Sequence, residues 1–342
     1  MLWYSQLQFI ACAVPTQPAY GRGRYIAMQR QKEDIRSRCM LMKLSAEKAR
    51  AQAETSSSCL KVFVAPEFYF RGRTGAYDLE GLQAVVSQLR AWASAPQWRD
   101  WLFFFGTVVG TFLDPNNQNE VINAAVVHRG GSGPDGTRIV MKEALAPDDF
   151  LSAIHLRNTT NPARGILTME QLVGLKDGTQ FDAVQNRGPG KEHQERPFDG
   201  TGVFDEARVR FAVEVCADHL VSRLAKSPTA WLDWLPQVQV ITSCGVGDFN
   251  ADSVVASKDG FVFRCDGFFA ETQQSVAAHS RLSKVTGART RSQGATLQEV
   301  QRTKTVKLRN HLPMWWKHCF SEAGELHVYP SQAAPWGNVR WW

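Results

Sequence analysis

Three residues carry groups that, if brought together, make a complete set for acyl chemistry. Glu67 follows the run Val62-Phe-Val-Ala-Pro66, Lys142 follows Arg138-Ile-Val-Met141, and Cys216 closes Val209-Arg-Phe-Ala-Val-Glu-Val215. A carboxylate takes a thiol proton, an ammonium stabilises an oxyanion, and a thiolate is a nucleophile. Singly, none of them is distinctive. An isolated Glu is usually a surface acid, a lysine at a strand end is usually solvated, and free Cys is among the residue types most often buried for packing. Jointly they share a position, the C-terminal edge of an apolar strand, where open α/β sheets place their sites. Cys216 also stands where a strand hands over to a helix, and amide donors there are expected to lower its pKa.

The elements that must position these groups are legible as patterns. Phe9-Ile-Ala-Cys-Ala-Val14 is a short apolar run closed by Pro15 and suited to a buried strand. Residues from about Ile26 to Glu54 lack Gly and Pro and are rich in helix formers, so a long helix is expected. Leu60 to Ala65 reads as a strand, Leu79 to Ala95 as a helix, and Trp101 to Val109 as a strand covered on both faces. Glu120 to His128 and Thr137 to Lys142 add strands around a Gly-rich turn. Past Val209–Cys216 the pattern predicts a helix over Leu220–Leu235 and a strand over Val238–Ser243. A hairpin follows, pairing Asp252–Ala256 with Phe261–Cys265, and then a basic, helix-leaning stretch from Val276 to Val306. Residues 155–202 are dominated by Gly, Pro, Asn, Asp and charge. So long a loop reads as an insertion or lid within one domain spanning 1–342. The stretch 271–342 has no assignment, and its tail is Trp-rich: Trp315-Trp316 suits an anchor onto the body or a subunit interface.

The strand-to-Pro-Glu67, strand-to-Lys142 and strand-to-Cys216-Ala-Asp segments, in that order, resemble the Glu, Lys and Cys motifs of the nitrilase (carbon–nitrogen hydrolase) superfamily. Asn123 in Val-Ile-Asn-Ala-Ala is similar to the family's Asn before small residues. The resemblance covers about residues 5–270. It implies an α/β four-layer α-β-β-α sandwich, with Glu67 as base, Lys142 and the Ala217 N–H as oxyanion donors, and Cys216 as nucleophile. The expected surrounding set is Ala217, Asn123, Asp148 and His219. The family's second glutamate has no clear counterpart, Asp148 and Asp149 being the nearest carboxylates. Ala217-Asp218 stands where nitrilases proper carry Trp-Glu, which favours a small-molecule amide over a nitrile. No cofactor or metal is implied, and pairing into a homo-oligomer through outer helices is.

Composition narrows the classes. Of 342 residues, 44% are hydrophobic and 21% charged, which excludes a disordered chain. The formal charge of +6 is spread thinly, so a nucleic-acid partner is not expected without a clustered patch. Seven scattered cysteines without a C-x-x-C pair argue against a disulfide framework and structural zinc, and point to a reducing, cytoplasmic compartment. No run approaches a membrane span. Other readings stay open: a catalytically silent protein of the same fold that binds or scaffolds, and a basic nucleic-acid-associated protein using Arg281–Arg309.

Overall fold

The computed structural model describes residues 4–17, 25–113, 119–133, 136–142, 202–225, 235–272, 275–290 and 292–335. Two sheets face each other. The first has the order β12-β13-β1-β2-β3-β4-β5, with β14 also pairing with β1. Its strands are β1 (Gln6–Ala13), β2 (Cys59–Val64), β3 (Trp101–Leu113), β4 (Asn119–Arg129), β5 (Thr137–Met141), β12 (Lys304–Lys307), β13 (Glu325–Val328) and β14 (Gln332–Ala333). The second has the order β11-β10-β9-β8-β7-β6. It is built from β6 (Val203–Glu206), β7 (Val209–Val215), β8 (Val238–Ser243), β9 (Phe261–Thr272), β10 (Ser275–Gly287) and β11 (Thr296–Val300).

The inner faces share one core. Phe9, Val62 and Phe104 of the first sheet meet Phe211, Val213, Val240 and Phe263 of the second. Alternate residues of the first sheet, such as Phe63, Phe103 and Phe105, point the other way onto two helices. These are α1 (Gln31–Arg50) and α2 (Leu79–Ala93). On α1 the buried residues Ile35, Cys39, Met42, Ala46 and Ala49 recur at helical spacing and form one stripe. Its acids Glu33 and Asp34 lie in the first turn and Lys48 and Arg50 in the last, as the helix dipole favours. The Asp78 carboxylate caps α2 by accepting from Gly81 N at 2.7 Å.

Among the described residues, three layers, helix–sheet–sheet, are present. The outer face of the second sheet is covered by an extended segment: Val254 and Ala256 pack with Ile241, Val262 and Val285. Where the sequence predicts a helix over Leu220–Leu235, the described residues show a short helix, α3 (Ala217–Leu220), that stops at its expected start. Val221–Ala225 run as turns, and Ser222 has a positive φ of 58° that breaks the helix. Residues 226–234 lie outside the described ones.

Two further expectations are corrected. Asp252–Ala256 is not a strand, because the Gln239 side chain takes its backbone: Oε1 accepts from Val255 N at 2.9 Å and Nε2 donates to Ser253 O at 3.1 Å. The partner of β9 is instead β10, with Leu282 opposite Phe263. That pairing also makes Val276–Val306 mostly strand rather than helix. Leu282 and Val285 supply its few apolar anchors, and cross-strand pairing overrides local preference. The unassigned C-terminal stretch completes both sheets: β13 lies antiparallel to β1, and Trp316 is buried on the helix side. The insertion at 155–202, apart from Gly202, and Trp336–Trp342 lie outside the described residues.

Candidate active site

The site forms where β2, β5 and β7 end on the same side of the two sheets. Glu67 comes three residues after β2 and is fully buried. Its backbone is fixed to the opposite sheet: Glu67 N donates to Ser243 O at 3.3 Å, and Thr242 Oγ1 donates to Ala65 O at 2.9 Å. Thr16 Oγ1 donates to Glu67 O at 2.6 Å. A bulge in β3 completes the support. Register shifts between Phe104 and Thr107, and Gly106 there has φ +75°. A Cβ at Gly106 would lie 2.1 Å from the Pro66 carbonyl oxygen, so only glycine lets β3 approach the Pro66–Glu67 turn this closely. Phe68, with φ 63°, then donates its N–H to Thr107 Oγ1 at 2.8 Å.

Lys142 follows β5, and its N–H donates to Asn123 O at 2.8 Å, extending the ladder with β4 by one residue. Its Nζ donates to Glu67 Oε1 at 2.9 Å, and both side chains are fully buried. Asn123 Nδ2 donates to the same oxygen at 2.8 Å. The Phe68 ring lies 5.8 Å from Lys142 Nζ. A buried ion pair held by further polar contacts is the arrangement that low dielectric demands.

Cys216 directly follows β7, with its N–H donating to Thr242 O at 3.0 Å. Its φ of 48° and ψ of −105° are unusual for a residue with a Cβ, and such conformations cluster at functional sites. The residue is 8% exposed. Sγ lies 3.9 Å from Cys244 O. Burial pushes the Cys216 thiol well above its ordinary value, the Glu67 charge adds to this, and Lys142 opposes it. The expectation of a lowered pKa is therefore overturned: desolvation outweighs the amides of a four-residue helix. The resting group is a thiol, standing in the field of both Glu67 and Lys142.

The rest of the expected set divides. Asn123 joins Glu67 and Lys142, and Ala217 opens α3 directly after the cysteine. Asp148 lies outside the described residues. His219 faces away into a buried network: Nδ1 lies 2.7 Å from Glu214 Oε2, and Nε2 accepts from Asn250 N at 3.2 Å. Glu214 also accepts from Leu224 N and Gln239 Nε2. His219 thus ties the loops behind Cys216. Asp266 does the same for the turn after β8, accepting from Ser243 Oγ at 2.6 Å and from the N–H groups of Gly245, Val246 and Phe268. Sequence reading missed Thr16, Gly106, Thr242, Ser243 and Asp266. Only two left a signal: a glycine inside Phe103-Phe-Phe-Gly106-Thr, and a carboxylate inside an apolar strand.

Among the described residues no group of three or more His, Cys, Asp and Glu could hold a metal ion. No described helix is long and apolar enough to cross a membrane. The seven cysteines are free thiols.

No family model matches the chain, and no curated protein matches it. Solved structures with a related course include an amidase from Nesterenkonia sp., at 10% identity and a TM-score of 0.42, covering 87% of this chain and 90% of that one. A variant of the Nesterenkonia sp. AN1 amidase in complex with acrylamide is similar at 9% identity and a TM-score of 0.42, covering 95% and 91%. A glutamine-dependent NAD+ synthetase from Acinetobacter baumannii is similar at 12% identity and a TM-score of 0.40, covering 85% of this chain and 43% of that one. At this depth of similarity the functional assignment rests on the site itself.

Proposed function

We propose that the protein is a cysteine-dependent carbon–nitrogen hydrolase of the nitrilase type, acting on a small-molecule amide through a thioester. The observation that carries this reading is the meeting of three strand ends: Glu67 and Lys142 are paired at 2.9 Å, and both charges act on the Cys216 thiol.

In this reading Glu67 takes the Sγ proton as the sulfur attacks the amide carbon. The developing oxyanion accepts from Lys142 Nζ and from the Ala217 N–H. Each preorganised donor of this kind contributes about 3 kcal/mol in a water-excluded site. Protonated Glu67 then gives its proton to the departing nitrogen, the C–N bond breaks, and a thioester remains. Water replaces the amine, loses a proton to Glu67, and attacks the thioester carbon; the sulfur leaves and regains its proton. A high thiol pKa suits this order, because proton transfer and attack are coupled and no thiolate waits beside a carboxylate. Asn123 holds Glu67 Oε1 in line, and His219 is a positioning residue for the turn that carries Cys216. All steps use the chain's own groups.

Cys216→Ala tests the reading. Turnover of every amide the unmodified protein hydrolyses should fall by at least 10³-fold while the thermal transition survives. Retained activity in the folded variant refutes it.

A further inference from the structure

The turn that follows β8 puts a polar atom against the nucleophile. Cys244 is the first residue past β8, and its carbonyl oxygen lies 3.9 Å from Cys216 Sγ, within reach of the S–H. The thiol has a single proton, and Glu67 is its other acceptor. The sulfur therefore stands between a carboxylate fixed by Asn123 and Lys142 and a backbone carbonyl whose direction depends on how the turn is held.

Asp266 holds it. This residue pairs with Ser243 in the β8–β9 ladder and is fully buried. Its Oδ1 accepts from Gly245 N at 2.9 Å and from Phe268 N at 2.7 Å. Its Oδ2 accepts from Val246 N at 2.9 Å and from Ser243 Oγ at 2.6 Å. The Gly245 N–H and the Cys244 C=O belong to one peptide unit, which is trans, so the two bonds point in opposite directions. β8 lies between β9 and β7. With its N–H on Asp266 of β9, the unit aims its carbonyl the other way, toward the end of β7 and the Cys216 sulfur. Arg264, two residues earlier on the same face of β9, takes the far side of the turn, donating to Val246 O at 2.6 Å and to Gly247 O. Gly245 itself has φ +111°, and a Cβ there would meet only Phe268 Cδ1, at 3.7 Å. Conformation, not space, asks for glycine.

We propose that Asp266 is a positioning residue for Cys216 and acts through the Cys244–Gly245 peptide: it keeps the Cys244 carbonyl on the S–H, so that the sulfur is aimed before Glu67 takes the proton. This rests on the hydrolase reading above for the step it serves and adds a residue that works one peptide removed from the reacting sulfur. Aim matters to the attack and not to substrate binding, so its loss lowers kcat and kcat/KM together and leaves KM nearly unchanged.

The experiment removes the acceptor, restores it without its charge, and turns the peptide with the acceptor in place. Asp266→Ala should lower kcat by about 10- to 100-fold, with KM within about threefold, for any amide the unmodified protein hydrolyses. Asp266→Asn should stay within about fivefold of the unmodified rate, because its amide oxygen still accepts from Gly245 N while the Ser243 hydroxyl turns to accept from the new NH2 group. Gly245→Ala keeps Asp266 and its charge. Its φ returns to the negative region when the preceding peptide rotates, the motion that separates type II from type I turns, so its kcat should fall as in Asp266→Ala. Thermal melts set an assay temperature at which each variant is folded, and Gly245→Ala decides alone if Asp266→Ala does not fold. A second measurement needs no turnover: the S–H stretch of Cys216, read as an infrared difference against Cys216→Ala. The band should move to higher wavenumber in Gly245→Ala, where the S–H loses an acceptor, and stay in place in Asp266→Asn. That shift supports the positioning role even if no amide is hydrolysed and the hydrolase reading fails. Three results overturn it even if amides are turned over: a folded Gly245→Ala protein within about threefold of the unmodified kcat, an Asp266→Asn rate as low as that of Asp266→Ala, or an unmoved S–H band in Gly245→Ala.

Discussion

Gly106→Ala alters no group that could do chemistry, yet it should nearly silence the site. The added Cβ would sit 2.1 Å from the Pro66 carbonyl oxygen and 3.2 Å from Tyr69 Cβ. Restoring an ordinary contact needs a movement of about 1 Å. Pro66 has a fixed φ and does not absorb it, so the shift passes to the next residue, Glu67. The Glu67 carboxylate is held at 2.8 Å by Asn123 and 2.9 Å by Lys142, distances that do not survive such a displacement unchanged. A misplacement of about 1 Å costs on the order of 10²-fold in rate. Forcing a Cβ into φ +75° adds about 1–3 kcal/mol of instability, or a fall in Tm of roughly 1–4 °C for a chain of this length. The assay pairs amide hydrolysis under single-turnover conditions with a thermal melt, at a temperature where the variant is fully folded. Acylation slowed about 100-fold in a folded variant is the expected result. A folded Gly106→Ala protein within threefold of the unmodified rate would refute the claim that the β3 bulge sets the position of the carboxylate.

Lys142→Met leaves the buried Glu67 carboxylate without its cation, so it should lower stability by about 3–5 kcal/mol as well as abolish turnover. Glu67→Gln/Lys142→Met, which removes both charges, should recover much of that stability in urea melts and none of the activity; recovery of neither would mean the pair is not an isolated charge couple. Stability should also fall on acidification. Burial, reinforced by nearby cations, holds His128 at about 4 and His327 at about 3, against about 6.5 in the unfolded chain. Below pH 6.5 the unfolded chain therefore binds protons that the folded one refuses. Each histidine then costs up to about 1.4 kcal/mol per pH unit, down to its folded value. Urea midpoints between pH 7 and 4.5 should decline less steeply in His128→Gln/His327→Gln than in the unmodified protein. Equal slopes would show that the two histidines do not drive the loss.

The parts of this architecture that could be read from residues alone are those dominated by short-range pattern. β1, β2, β3 and β8 are apolar runs with clear boundaries, α1 is a long stretch without Gly or Pro, and α2 is a run of helix formers interrupted only by Gly81. Glu67, Lys142 and Cys216 stood out because each directly follows such a run, and the ends of β2, β5 and β7 bring them together. What stayed hidden depends on partners distant in the chain. β10 and β11 are polar strands whose conformation comes from pairing with β9 and with each other, so composition suggested a helix. The Asp252–Ala256 strand was a false pattern because Gln239, in another strand, captures its backbone. Thr16 and Thr242 matter through hydrogen bonds to backbone carbonyls that no local spacing predicts. The Cys216 pKa had the wrong sign because the sequence announces a helix start but not the depth at which it is buried.

The central claim is that sulfur at position 216 bonds to the substrate's acyl carbon. Rapid-quench intact mass spectrometry reads that bond directly, using any amide the protein hydrolyses. The account predicts one acyl group added to the unmodified protein, mapped by peptide sequencing to Cys216, removed by hydroxylamine and absent in Cys216→Ala. Turnover with no acyl adduct at any quench time, or an adduct carried by Cys244 with Cys216 unmodified, would contradict it.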